Sequence, residues 1–162
     1  MPEVISDASP SQYLYQLDLL NVLPTLYGGV TLSDAVVNEL AQGRARGVAL
    51  PDPASLPWVT VRRVRERTLL PLVANLGSGE REVLALAADT PGALVLLDDA
   101  IAKRHARLLG RTFTGTLGVL LMAKGSGHVS TVRPVLDRPD VLRFRLDPDT
   151  RAVVLRLAGE GS

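Results

Sequence analysis

The hydrophobic pattern is sharpest from Ala93 to Leu97, five consecutive apolar residues that stop at two adjacent carboxylates, Asp98 and Asp99. A run this short, preceded by Pro91-Gly92, predicts a strand buried on both faces. Apolar positions then recur at Ile101, Ala102, Ala106 and Leu109, the spacing of a helix that Gly110 ends. The same alternation of short apolar run and helical pattern marks most of the chain. Val4-Ile5-Ser6 predicts a strand ending at Asp7, followed by a helix from about Ser11 to Leu20. Val30-Thr31-Leu32 predicts a second strand, with Ser33 capping a helix to about Gln42, where Gly43 stops it.

Asn21 to Gly29 reads as a connection and Gly43 to Pro57 as an exposed loop, on their Pro and Gly content. Trp58-Val59-Thr60-Val61 alternates like an edge strand. Leu69 to Leu76 reads as a short apolar helix or connection. Gly77-Ser78-Gly79-Glu80 opens a helix, with Ser78 as its cap. Arg111-Thr112-Phe113 is a strand, Thr114-Gly115-Thr116 a turn, and Leu117 to Lys124 a helix closed by Gly125 and Gly127. A short helix over Thr131 to Leu136 and an alternating edge strand over Leu142 to Leu146 follow. Asp147-Pro148 then starts a last helix through Leu157. Strands alternating with helices predict an α/β fold, a three-layer α/β/α arrangement on a mostly parallel sheet of four to five strands. A single domain is expected over residues 1–158, with a disordered tail over 159–162.

Composition narrows the chemistry. Hydrophobic residues make up 46% of the chain and aromatics 4%, so the core is built from Leu, Val and Ala. Cysteine is absent, which removes disulfides, thiolate zinc sites and Cys nucleophiles. No stretch approaches the ~20 apolar residues of a membrane span, and Met1 to Ile5 lacks the features of a signal peptide. A cytoplasmic location is expected. The net charge of +1 excludes a globally basic nucleic-acid binder. Cations nevertheless cluster at Arg62, Arg63, Arg65 and Arg67, and again at Lys103, Arg104, His105 and Arg107.

Four acids have places at or near predicted strand ends and helix starts: Asp7, Glu39, Glu80 and Asp98. Each also has an ordinary explanation, as a turn or capping residue, a solvated glutamate or a helix-dipole partner. Taken together they repel unless a hard cation neutralises them, and all-oxygen ligands suit Mg²⁺ or Mn²⁺ rather than zinc. In an extended chain Asp98 and Asp99 point to opposite sides, so Asp98 is assigned to the site and Asp99 to the helix cap.

The segments SDASP at 6–10, YLYQLDLLNVLPTLYGGV at 13–30 and AVVNEL at 35–40 come in a recognisable order. They are followed by GEREVLALA at 79–87, LLDDAIAKRHARLLG at 96–110 and FTGTLGVLLMAKGSG at 113–127. In this order the chain resembles PIN-domain ribonucleases, the fold of the toxins of VapBC-type toxin–antitoxin pairs, and more closely a prokaryotic PIN-like subfamily. The resemblance implies a PIN-like fold and a metal-dependent endoribonuclease. It assigns catalytic and metal-binding roles to Asp7, Glu39, Glu80 and Asp98, with Asp99 as a supplementary ligand and Thr116 and Ser9 as accessories. It further implies Mg²⁺ or Mn²⁺ as cofactor, RNA as substrate, a small antitoxin protein and a second copy of the chain as partners. Lys103, Arg104 and Arg107 are the RNA-binding candidates. One departure is Leu32-Ser33-Asp34, which replaces the family's usual Ile-Pro before the second helix and changes a turn rather than a ligand. A non-catalytic binding module, in which the acids are caps, is the alternative. Receiver-like and haloacid-dehalogenase-like readings fail, the second because Ser9 stands where Asp-x-Asp needs its second acid.

Overall fold

The computed structural model describes residues 2–65, 75–138 and 146–161. Five strands form one sheet: β1 (Val4–Ser6), β2 (Val30–Ser33), β3 (Val59–Arg62), β4 (Leu94–Leu96) and β5 (Thr112–Thr114). Their spatial order is β3-β2-β1-β4-β5, and every pairing is parallel. Eight helices flank the sheet among the described residues: α1 (Ala8–Gln16), α2 (Val22–Tyr27), α3 (Asp34–Ala45), α4 (Ser78–Ala88), α5 (Ala100–Leu108), α6 (Thr116–Gly125), α7 (Arg133–Leu136) and α8 (Pro148–Leu157). This is the expected three-layer α/β/α arrangement, with the sheet wholly parallel.

Parallel strands are buried on both faces, and the sequence obliges with apolar runs. Ile5, Val95, Leu96 and Leu97 are fully buried, as are Val36, Leu84 and Leu120 from the helices that cover them. Each such side chain contributes ~1.5–3 kcal/mol by leaving water. The run predicted as the central strand lies one place from the middle, because β1 occupies the centre and β4 pairs it on one side. The order therefore reverses between β1 and β4. In such sheets the crevice beyond the carboxyl ends at this reversal is the ligand site.

Several boundaries differ from the sequence reading. Helix α1 begins at Ala8 rather than Ser11 and ends at Gln16, because Asp18 adopts a left-handed backbone (φ +58°) that a short polar side chain tolerates. The expected connection over Asn21 to Gly29 contains α2, whose Pro24 sits in the first turn, where an N–H has no helical partner. Helix α3 runs through Gly43 to Ala45. A Cβ at Gly43 would meet the Leu50 side chain, so this glycine serves close packing and not termination. Leu50, Pro51 and Pro53 are buried in the segment read as an exposed loop. Gly77, not Ser78, is the N-cap of α4.

Residues 69–74, and all but Leu146 of the strand read over 142–146, lie outside the described residues. Residues 159–161 of the segment expected to be disordered are described, and Glu160 among them is held by α6 and the start of α7. The Glu160 carboxylate accepts from Lys124 Nζ at 2.9 Å and from the amides of Val132 and Arg133 at 2.8 and 3.2 Å. These donors hold its carboxyl well below the usual range, at about 2, led by the Lys124 contact.

Candidate metal centre

The two strands at the reversal are tied together at their carboxyl ends. The Asp7 amide donates to the Leu96 carbonyl at 3.0 Å, continuing the register that pairs Ser6 with Leu96. Asp7 and Asp98 are thus delivered to the same crevice by neighbouring strands.

Asp7 is 3% exposed. It stands at the N-cap of α1, yet its side chain makes no capping hydrogen bond, and its Oδ1 is buried with no partner among the described residues. Burial raises its carboxyl from 3.8 to about 7, reinforced by the charge of Glu80 and then of Glu39 and Asp98, and opposed by the Ala8 amide. A carboxylate with one buried oxygen left unpartnered and three other acids near it does not fit the turn explanation.

Glu39 and Asp98 are held by backbone amides. Glu39, on α3, accepts from the Gly79 amide at 3.0 Å through Oε1. Burial and the Glu80 charge raise its carboxyl, while the Gly79 amide and Ser78 oppose the rise. Glu80 lies in the first turn of α4 and curls back, its Oε2 only 2.7 Å from where a Cβ on Gly77 would stand. Asp98 is gripped at both oxygens by Thr116. The Thr116 amide donates to Oδ1 and its hydroxyl to Oδ2, each at 2.7 Å. Thr116 is fully buried at the start of α6, so its hydroxyl direction is fixed by packing.

Asp99 accepts from the Ile101 and Ala102 amides at 2.8 and 3.1 Å and caps α5. Ser9 lies half-buried in the first turn of α1. The three cations divide. Lys103 Nζ is 3.2 Å from the point a Gly115 Cβ would occupy, and Asp98 Oδ1 is 2.7 Å from the same point, which places the ammonium at the rim of the acids. Arg104 is exposed on α5, and the Arg107 guanidinium lies 5.3 Å from the centre of the Phe113 ring. In the other arginine run, Arg62 turns inward to Glu3 at 2.7 Å and Arg63 pairs with Asp34 at 3.4 Å. Arg67 lies outside the described residues.

Sequence reasoning missed two contributors. Gly79 is essential to the approach of Glu39, since a Cβ there would lie 2.6 Å from Oε1. Glu82 accepts from the Ala35 amide at 2.9 Å and closes the start of α3 beside Ser33. The Gly in the first turn of α4 was the only sequence signal for the first. The second had none.

The donor set fits a hard divalent cation. It is all carboxylate and hydroxyl oxygen, and one buried oxygen, Asp7 Oδ1, has no other use. Among the described residues no three His, Cys, Asp or Glu side chains are already grouped to hold an ion. Mg²⁺ does not demand that, because it keeps several waters and takes one or two carboxylates together with substrate phosphate.

A family model described as a PIN domain matches residues 3–160. No curated protein and no solved structure matches the chain. PIN domains are generally nucleases that act on nucleic acid with divalent metals. Among the described residues no helix is long and apolar enough to cross a membrane. With the match spanning nearly the whole sequence, and with Asp7 and Asp98 at the carboxyl ends of the two strands between which the parallel sheet reverses, the chain belongs to the PIN-domain family.

Proposed function

We propose that the chain is an Mg²⁺- or Mn²⁺-dependent endoribonuclease that hydrolyses phosphodiester bonds at the crevice between β1 and β4. The observation that carries this reading is the buried, partnerless Oδ1 of Asp7, surrounded by the charges of Glu80, Glu39 and Asp98. When bound, a divalent ion would activate water and neutralise charge developing on the phosphate. The chain's own residues set the stage for it. Asp7 and Asp98, with Glu39 and Glu80 behind them, supply the oxygens. Thr116 locks Asp98 in one orientation, and the Gly79 amide does the same for Glu39. Without a cation, Asp7 holds a proton near neutral pH and relieves the repulsion. Lys103 at the rim is placed to meet a phosphate oxygen.

The resemblance supports a further step: a VapC-like toxin acting in the cytoplasm, restrained by a small antitoxin and working as a homodimer. Helices α6 and α8 pack on one another, and the exposed Met122 on the first and Val153 and Leu157 on the second offer apolar side chains for a second copy to cover.

Purified protein should cut single-stranded or looped RNA with Mg²⁺ or Mn²⁺ and stop with EDTA. Asp98→Asn should lower the rate by roughly 10²-fold or more, as loss of a charge at a reaction centre does. Mn²⁺ binding by calorimetry, intact in wild type and lost in Asp7→Asn, is the second readout. Wild-type protein that binds no Mn²⁺ would leave the acids as caps and the chain as a binding module.

A further inference from the structure

A second concavity opens beside Glu39. It has a volume of about 390 Å³ and is walled by one face of α3 (Asp34, Asn38, Glu39, Gln42), the start of α4 (Ser78, Glu82) and Arg63 after β3. Positions 34, 38 and 42 recur every four residues and so stand in a row along the helix. The lining is polar and chemically mixed: two neutral amides, a hydroxyl, three carboxylates and one cation at the mouth. The volume is within the range of small-ligand pockets. Glu39 belongs to both the acid site and this cleft, so an occupant would lie directly beside the cleaved bond.

We infer that this cleft is a subsite for one base of the RNA strand, next to the scissile phosphate, and that it selects guanine. The inference rests on the ribonuclease reading of the acid site and specifies what that site's substrate carries alongside. Three carboxylates exclude a phosphate from the interior, so a neutral base is the part of a nucleotide that fits. Glu39 is already taken by the Gly79 amide and the Ser78 side chain, whereas Glu82 and Asp34 each have one oxygen engaged, Glu82 Oε1 by the Ala35 amide and Asp34 Oδ2 by Arg63 Nε. The other oxygens of Glu82 and Asp34 are acceptors, and guanine presents two adjacent donors, N1–H and the 2-amino group, on its Watson–Crick edge. Adenine and uracil lack that pair. Asn38 and Gln42, both exposed on α3, can meet O6 and N7 with their amide N–H groups. The Arg63 side chain is 82% exposed and its 3.4 Å pairing with Asp34 is of the weak surface kind. It is free to turn to the phosphate that follows the base.

The test uses the full chain and two readouts. First, a randomised RNA pool is cut with Mn²⁺ and the ends are sequenced. Wild type should favour guanine at one position flanking the cut by roughly tenfold, the effect of a good paired base contact. Asp34→Asn and Gln42→Ala should each shrink that preference towards parity at that position alone. Cutting without a guanine preference, or a preference unchanged in both variants, overturns the subsite and leaves the ribonuclease reading standing. Second, binding of the trinucleotides ApGpA and ApIpA is measured in EDTA with Asp98→Asn protein, inosine lacking only the 2-amino group. Tighter binding of ApGpA that disappears on adding Asp34→Asn supports the subsite even if no cutting is seen. Equal binding of both probes, or binding of neither, overturns it and would leave the cleft to a protein partner.

Discussion

Glu39 approaches the backbone of Gly79 so closely that a side chain at position 79 would have to displace the carboxylate: the Gly79 amide donates to Oε1 at 3.0 Å, and a Cβ would lie 2.6 Å from the same oxygen. In Gly79→Ala the atom that must move is the far end of a glutamate, not backbone, so the fold survives. Alanine is also the better helix former by ~1 kcal/mol. The variant should melt at or above the wild-type temperature while binding Mn²⁺ roughly 10–100-fold more weakly, the usual result of disturbing a residue that orients a ligand. Calorimetry with Mn²⁺ beside a thermal melt checks both halves.

Asp7 makes the metal-free protein sensitive to pH. Its carboxyl titrates near 3.8 when unfolded and at about 7 when folded. Below the first value it is protonated in both states and stability is full. Between the two, the unfolded chain releases a proton that the folded protein keeps, so stability falls as pH rises from about 4 to about 7. The total is ~4 kcal/mol at 1.36 kcal/mol per unit. Denaturation in EDTA across this range should show that decline in wild type and a flatter line in Asp7→Asn, which melts higher at pH 8. Mn²⁺ should restore wild type alone.

Thr116→Val keeps the shape and the amide but removes the hydroxyl that holds Asp98 Oδ2. The loss of one hydrogen bond to a charged group destabilises the protein by ~1–3 kcal/mol. With Asp98 free to turn, kcat should fall while KM for RNA changes little. Serine in place of valine should restore the rate, since it returns the donor. Steady-state kinetics on the three proteins gives the answer.

RNA affinity should fall with salt, each phosphate contact adding ~0.7 to the log–log slope on single strands. Replacing Lys103 or Arg104 with Ala should each remove about one contact's worth of slope. Arg107→Ala should also lower the melting temperature, because its guanidinium rests on Phe113. Anisotropy titrations at several salt concentrations separate these effects.

Much of this was legible in the residue order, for physical reasons that stop where contacts become long-range. The residue pattern located all five described strands within a residue or two, most sharply where burial on both faces leaves an unbroken apolar run such as 93–97. Asp147-Pro148 correctly signalled a helix start, since capping is local: Asp147 accepts from the Thr150 amide at 2.8 Å. Asp99 as the cap of α5 followed from the alternation of an extended chain. The extension of α3 through Gly43 was not legible, because the glycine answers to Leu50, seven residues on. Nor was Glu82, whose partner amide is 47 residues away. The resemblance named the four acids, but nothing local showed that Asp7 would keep one buried oxygen without a partner.

The position of β1 at the middle of the sheet has a kinetic consequence. Val4 pairs with Leu94, a separation of 90 residues, while the other neighbour of β1 is only 26 residues away through Ile5 and Thr31. Closing the longer loop sacrifices more chain entropy before any contact repays it, which makes such pairings slow to form. The half of the sheet carrying Asp7 can therefore assemble first, with its carboxylate next to water. The crevice, and with it the unusual chemistry of Asp7, comes into being only when the segment bearing Asp98 zips onto the open edge of β1. A chain caught before that step would hold much of the secondary structure of the finished molecule and none of its acid pair.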